Sequence, residues 1–208
     1  MSAYTNTYVK IDRIPKNLAD DICKKVENHI NNYGYFKDYI QNGRDYALKE
    51  WLDMHKEDYD YFVNECEVDP SEMTEEALTR KLDNLLEKDK ENINVLNDCI
   101  EGKISFTECI DKIGAKENHI SGMVMHQKDN EWYVSIGYEI FRNREYNDEV
   151  EISTVEDLIL YLKQPDKNKI LDFAEKDSDY GPLTEKLEER IREFYSKIGD
   201  NNFFVEFG

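Results

Sequence analysis

The chain has 208 residues, enough to bury a core, and 46 acids stand against 27 Lys and Arg, a net charge of −19. Only 39% of the residues are hydrophobic, yet fourteen Tyr, nine Phe and two Trp supply large apolar surfaces, unlike acidic disordered sequences. Such a surplus of negative charge repels nucleic acid and anionic membranes, so neither is an expected direct ligand, and it attracts basic proteins.

In chain order, AYTNTYVKI predicts a first strand that Pro15 ends. Asn17 is placed to cap a helix with Leu18, Ile22, Val26, Ile30 and Tyr33 on one stripe, and Gly34 is its natural stop. From Arg44 to Cys66 the spacing predicts one long amphipathic helix, with Leu48, Trp51, Leu52, His55, Tyr59, Phe62, Val63 and Cys66 on one face. His55 lies within that stripe and reads as a core histidine. Pro70 closes the segment. Helical spacing resumes with Leu78, Leu82, Leu85 and Leu86, then Ile93, Leu96 and Ile100, up to Gly102. Ser105 and Glu108 form a capping box for a short helix that Gly114 ends.

The period then changes. HISGMVMHQ is a candidate strand, and EWYVSIGYEIF alternates Trp132, Val134, Ile136, Tyr138 and Ile140 at period two. KDN between them suits a hairpin turn, and DEVEI reads as a third strand. Ser153 and Glu156 form a second capping box ahead of VEDLILYLKQ, which Pro165 ends. Pro182 starts a further helix carrying Leu183, Leu187, Ile191, Phe194 and Ile198, closed by Gly199, and FFVEF can add a last strand. The expected fold class is α+β. A mainly helical acidic region over 1–114 precedes an α+β region over 115–208 that packs against it. The second region holds a three-stranded antiparallel meander with flanking helices and a C-terminal strand.

Motifs exclude several chemistries. There is no G-x-S-x-G, no G-x-x-x-x-G-K and no G-x-G-x-x-G, so no catalytic residue and no cofactor is assigned, and the chain is expected not to be an enzyme. His29, His55, His119 and His126 include no pair at i, i+4, and Cys23, Cys66, Cys99 and Cys109 show no C-x-x-C. No metal site is expected, and the cysteines fit reduced cytosolic thiols, with Cys66 and Cys109 on apolar helix faces. Asp58 and Asp60 have calcium-loop spacing, but Phe62 stands at the next ligand position and Val63 at the glycine. FTECIDKIGAKENHISGMV resembles a helix-turn-helix. Ile110 fills the place of the usual small residue, however, and Lys112, Lys116 and His119 are too few to follow phosphates. MSAYTNTYVK has no apolar signal core and LILYL is among the longest apolar runs, so a cytoplasmic location is expected and no membrane span.

The charge is unevenly spread. The first 44 residues are net +2, whereas residues 45–101 hold eighteen acids and six bases. Residues 57–76, EDYDYFVNECEVDPSEMTEE, contain nine carboxylates and no lysine or arginine, and EYNDEVEISTVEDLILYL is a second acid-only run. On a continuous helix Glu50, Asp53, Glu57 and Asp60 face away from the apolar stripe. Such a row sets a carboxylate roughly every 4 to 5 Å, against a phosphate about every 3.4 Å along a duplex strand. Glu65, Glu67, Asp69, Glu72, Glu75 and Glu76 extend the row, with Tyr46, Tyr59 and Tyr61 among them. An ordinary solvated face intersperses both signs. The pattern points to a non-catalytic acidic inhibitor that docks on a basic nuclease or other nucleic-acid-binding protein. Phage- or plasmid-encoded DNA mimics of anti-CRISPR or anti-restriction type act in this way. The alternatives are an immunity protein or accessory subunit for a basic partner, and an enzyme with no recognisable motif.

Overall fold

A computed structural model describes residues 5–120, 122–137, 141–143, 150–164, 171–173, 180–181 and 183–207. In chain order they form β1 (Thr5–Lys10), α1 (Lys16–Asn32), α2 (Gly34–Asn42), α3 (Arg44–Glu57), α4 (Tyr59–Asn64), a 3-10 turn (Pro70–Met73), α5 (Glu75–Ile100) and α6 (Phe106–Ile113). Then follow β2 (Met125–Lys128), β3 (Glu131–Gly137), β4 (Phe141–Asn143), β5 (Val150–Ile152), α7 (Val155–Leu162), β6 (Leu171–Phe173), β7 (Tyr180–Gly181), α8 (Glu185–Ile198) and β8 (Phe203–Phe207). The class is α+β. Two compact units emerge, Cys23–Gly114 alone and Met1–Ile22 together with Ala115–Gly208. Relative to a division into 1–114 and 115–208, β1 and the start of α1 therefore group with the later residues. Among the described residues no helix is long and apolar enough to cross a membrane.

The unit Cys23–Gly114 is helical. Along α5 the side chains of Leu78, Leu82 and Leu86, and again of Asn92, Leu96 and Cys99, are buried at three- and four-residue steps, as an amphipathic helix requires. The Trp51 indole N–H on α3 donates to the Leu78 carbonyl at 3.2 Å, and the Arg44 guanidinium grips both Asp83 oxygens at 2.7 and 2.8 Å. From α2, the Tyr35 hydroxyl donates to Asp89 at 2.7 Å. Burial pushes both groups up, and the Tyr35 hydrogen bond partly offsets the effect on Asp89.

One expected feature of this unit is extended and another is absent. α1 stops at Asn32, beside Gly34, but Gly34 also opens α2: Tyr33 takes an extended conformation (φ −75°, ψ 134°) and the next helix buries Phe36. The long helix from Arg44 to Cys66 is broken at Asp58 (φ −96°, ψ 16°) into α3 and α4. The cause is tertiary. His55 and Phe62 stack with ring centroids 5.0 Å apart, whereas seven residues of straight helix would separate them by roughly 10 Å. The bend brings Phe62 back onto the buried His55 and leaves Cys66 exposed, not on an apolar face.

The other unit carries a five-stranded antiparallel sheet in the order β2-β3-β1-β8-β5. The β2–β3 hairpin turns through Asp129 and Asn130, whose φ of 51° and 64° match the right-handed twist of its strands. The expected meander is not formed, because β5 pairs with β8 and the centre of the sheet is filled by β1 and β8. Tyr8 and Val9 on β1, and Phe203, Phe204 and Val205 on β8, are buried in succession and so on both faces of the sheet, in keeping with the central place of these strands. On one face Tyr161 of α7 packs on Phe207 at 4.6 Å and Tyr195 of α8 on Phe203 at 4.6 Å. On the other, Tyr8, Tyr133 and Phe204 form an aromatic cluster, with Phe204 4.8 Å from Tyr8 and 5.0 Å from Tyr133.

Smaller corrections follow the caps. Thr154, not Ser153, caps α7 by accepting the Asp157 N–H, and Thr184 caps α8 by accepting the Leu187 N–H. After the left-handed Gly114 the chain turns into a bridge between Ile120 and Met123, so no second helix of a helix-turn-helix forms. A separate sheet, β4-β6-β7, had no counterpart in the sequence pattern. Tyr138, Ile140, Pro165 and Pro182 lie outside the described residues.

The buried hydrogen bond between Thr7 Oγ1 and the Tyr195 hydroxyl, 2.8 Å, ties β1 to α8. Replacing Tyr195 by Phe strands the threonine hydroxyl and is expected to cost about 1 to 2 kcal/mol, read from urea unfolding. Thr7→Val with Tyr195→Phe removes both polar groups, and the pair should recover part of that loss.

Candidate functional site

The ten carboxylates singled out by the sequence sit on α3, α4, the 3-10 turn and the start of α5, and in the segments that join them. Glu50 is half-buried, and Lys49 lies 3.6 Å from it and 3.9 Å from Asp53. Glu57 ends α3 and Asp60 lies on α4, so the break at Asp58 divides the expected straight row between two helices. Glu65 follows α4, and Glu67 adopts a left-handed conformation with φ 54°. Asp69 accepts the Ser71 N–H at 2.8 Å, and its hydrogen bonds to Ser71 hold the carboxyl below the usual carboxylate range. Glu72 lies in the 3-10 turn, and Glu75 and Glu76 occupy the first turn of α5 behind the Thr74 cap, where the helix dipole favours negative charge.

What distinguishes this surface is its lack of counter-charge. Glu57, Asp58, Asp60, Glu65, Glu67, Asp69, Glu72, Glu75 and Glu76 are exposed, and none makes an ion pair among the described residues. Total net charge does not distinguish the two units. Cys23–Gly114 holds 22 acids and 12 bases, and the other unit 24 acids and 15 bases. On α8, by contrast, Arg192 reaches Glu188 at 3.0 Å and Glu156 at 2.8 Å, Lys163 reaches Glu188 at 2.7 Å, and Lys197 reaches Glu193 at 2.8 Å. Within the second acid-only run, Glu151 pairs with Lys128 and Glu156 with Arg192, while Glu145, Asp148 and Glu149 lie outside the described residues.

Apolar groups lie among the unpaired acids. Tyr46, Met54, Tyr59 and Tyr61 are exposed. Leu52, His55, Lys56, Tyr59, Met73, Glu75 and Leu78 line an open cleft of about 200 Å³. His55 belongs to the packed side of this region. Its Nδ1–H donates to the Trp51 carbonyl at 2.8 Å, and its ring lies 4.1 Å from Trp51.

Spacing arguments missed a second constellation. Cys23 of α1, Cys99 of α5 and Cys109 of α6 are buried, and their sulfurs lie within 4.8 Å of one another. The one available signal was that each falls on the buried stripe of its own helix.

Two outcomes follow from these environments. A polar thiol reagent is expected to modify Cys66 promptly in the native protein and Cys23, Cys99 and Cys109 only on unfolding, as followed by mass spectrometry. Glu108, whose carboxylate accepts from both the Ser105 N–H and hydroxyl at 2.8 Å, is held below the usual carboxylate range by those bonds. A folded-state pKa below the unfolded one contributes stability above the ordinary carboxylate range and loses it as pH falls through the folded value. Urea midpoints measured between about pH 6 and pH 3 should therefore fall more steeply for the wild type than for Glu108→Gln.

Comparison of the chain with family models, curated proteins and solved structures returns no match.

Proposed function

We propose that the surface from Glu50 to Glu76 docks into a basic groove that normally holds phosphates, and that the protein acts as a non-catalytic inhibitor of a nuclease or other nucleic-acid-binding protein. The observation that carries this reading is the run of nine exposed carboxylates with no internal counter-charge. Asp69, Glu75 and Glu76 are favoured at helix starts, but the rest of the run adds no stability, since like charges three or four positions apart on a helix cost a few tenths of a kcal/mol per pair. A partner's lysines and arginines would relieve that repulsion, and the exposed tyrosines supply the aromatic contact area that interfaces favour. Opposite charge would speed encounter, and salt would slow it, because exposed charges are screened over about 8 Å at physiological ionic strength.

The test begins with capture of the partner from lysate at low and moderate salt and continues with displacement of a labelled duplex or RNA from it. Glu57, Asp60, Glu65 and Glu67 are each replaced by Lys. A control carries Lys at Glu87, Glu117, Glu185 and Glu189, which are exposed acids with no ion pair among the described residues. Both sets change the charge equally and leave the buried side chains in place. The first set should weaken displacement by at least about tenfold, and the control should change it by no more than about threefold. Equal losses would mean that only bulk charge matters. No loss in either would make the surface a solvated one, and a captured partner that nucleic acid does not compete for would mark an accessory or immunity role.

A further inference from the structure

We propose that Cys23, Cys99 and Cys109 form a three-sulfur site for a thiophilic metal or metalloid ion. The three residues belong to one compact unit and are 0%, 1% and 0% exposed. Their sulfurs lie within 4.8 Å of one another, so some point lies within roughly 2.8 Å of all three, against about 2.3 Å for a zinc–thiolate bond. Closing that difference takes a small inward movement of each side chain. The α5–α6 connection holds two of the ligands in place. The Lys103 amide donates to the Asp98 carbonyl at 2.8 Å, the Lys103 ammonium pairs with Asp98 and Glu101, and the Ser105–Glu108 capping box starts α6 in a fixed direction.

The donor set selects the ligand class. Three thiols suit soft ions, whereas calcium and magnesium require oxygen donors. The cluster contains three sulfurs and no histidine or carboxylate, one ligand short of a structural zinc site. Ions satisfied by three sulfurs are therefore favoured, and charge separates them further. Cadmium binds with release of three protons and leaves one negative charge, as Cd²⁺ + 3 RSH → [Cd(SR)₃]⁻ + 3 H⁺. Arsenite binds as As(OH)₃ + 3 RSH → As(SR)₃ + 3 H₂O, with no change in charge. A buried apolar setting penalises the charged product and not the neutral one.

The test uses full-length, reduced protein carrying Cys66→Ser, which removes the exposed thiol and leaves the cluster intact. Cadmium chloride and sodium arsenite are titrated separately under anaerobic conditions, with ultraviolet sulfur-to-ion charge-transfer absorption and the urea midpoint as readouts. The expected result is saturation at one equivalent together with a higher midpoint, and loss of that end point when Cys99→Ala or Cys109→Ala is added. Cadmium affinity should rise with pH while arsenite affinity stays level. Saturation by either ion alone supports the site and identifies the charge it accepts. If neither ion gives a one-equivalent end point, or the alanine variants titrate unchanged, the three thiols are core packing only and the proposal fails. Should the alanine variants not fold, the midpoint of the Cys66→Ser protein decides, and no shift with either ion overturns the site.

Discussion

Carboxylates repel one another, and 46 of them in one chain make the placement of counter-charge the constraint that the structure must satisfy first. Much of the molecule can be understood as its answer. Arg192 stands between Glu156 and Glu188, Lys163 adds to Glu188, and Lys197 meets Glu193 one turn away. Helix N-termini accommodate others: Glu75 and Glu76 on α5, Glu108 on α6, Glu156 and Asp157 on α7, and Glu185 and Glu188 on α8. Asp89 is half-buried and accepts a hydrogen bond from the Tyr35 hydroxyl. From Glu57 to Glu76 the supply of cations stops, and the chain there changes direction repeatedly through two short helical segments and the left-handed Glu67. On the proposed reading, this is where the demand for positive charge is left for a partner to meet.

Features set by local chemistry were legible in the sequence. Ser105, Glu108 and Gly114 specify the start and stop of α6 within ten residues, and the structure shows the full capping box and the left-handed stop. The Asp129–Asn130 turn is equally local. What the sequence concealed depends on three-dimensional packing. The break at Asp58 follows from the stacking of Phe62 on His55, which no helical repeat encodes. The sequence pattern located the strands of the five-stranded sheet without giving their order, in which the neighbours of β1 are β3 and β8.

The candidate surface was legible to a similar depth. Counting acids located it, but counting treats Glu57 and Glu156 alike, and only the structure shows that the first makes no ion pair among the described residues and the second holds Arg192. The sulfur cluster was concealed as a cluster, because positions 23, 99 and 109 share no spacing that a ligand motif would reveal. Cys66 shows the reverse error: the stripe that placed it inside ended when the helix bent, and it lies in the open among the acids.

The position of β1 beside β8 has a consequence for synthesis. Thr5 pairs with Phe207, so β1 must wait for β8 before the centre of the sheet closes. At ordinary elongation rates that interval is on the order of ten to forty seconds. The helical stretch from Cys23 to Gly114 emerges during the wait. Once β3 is made, Tyr8 and Val9 can pair with it, but the other edge of β1 stays open until β8 arrives, and an open edge invites pairing with other chains. The helical unit therefore has time to mature while the sheet is still open, and a nascent chain paused before β8 would be the form most in need of a chaperone.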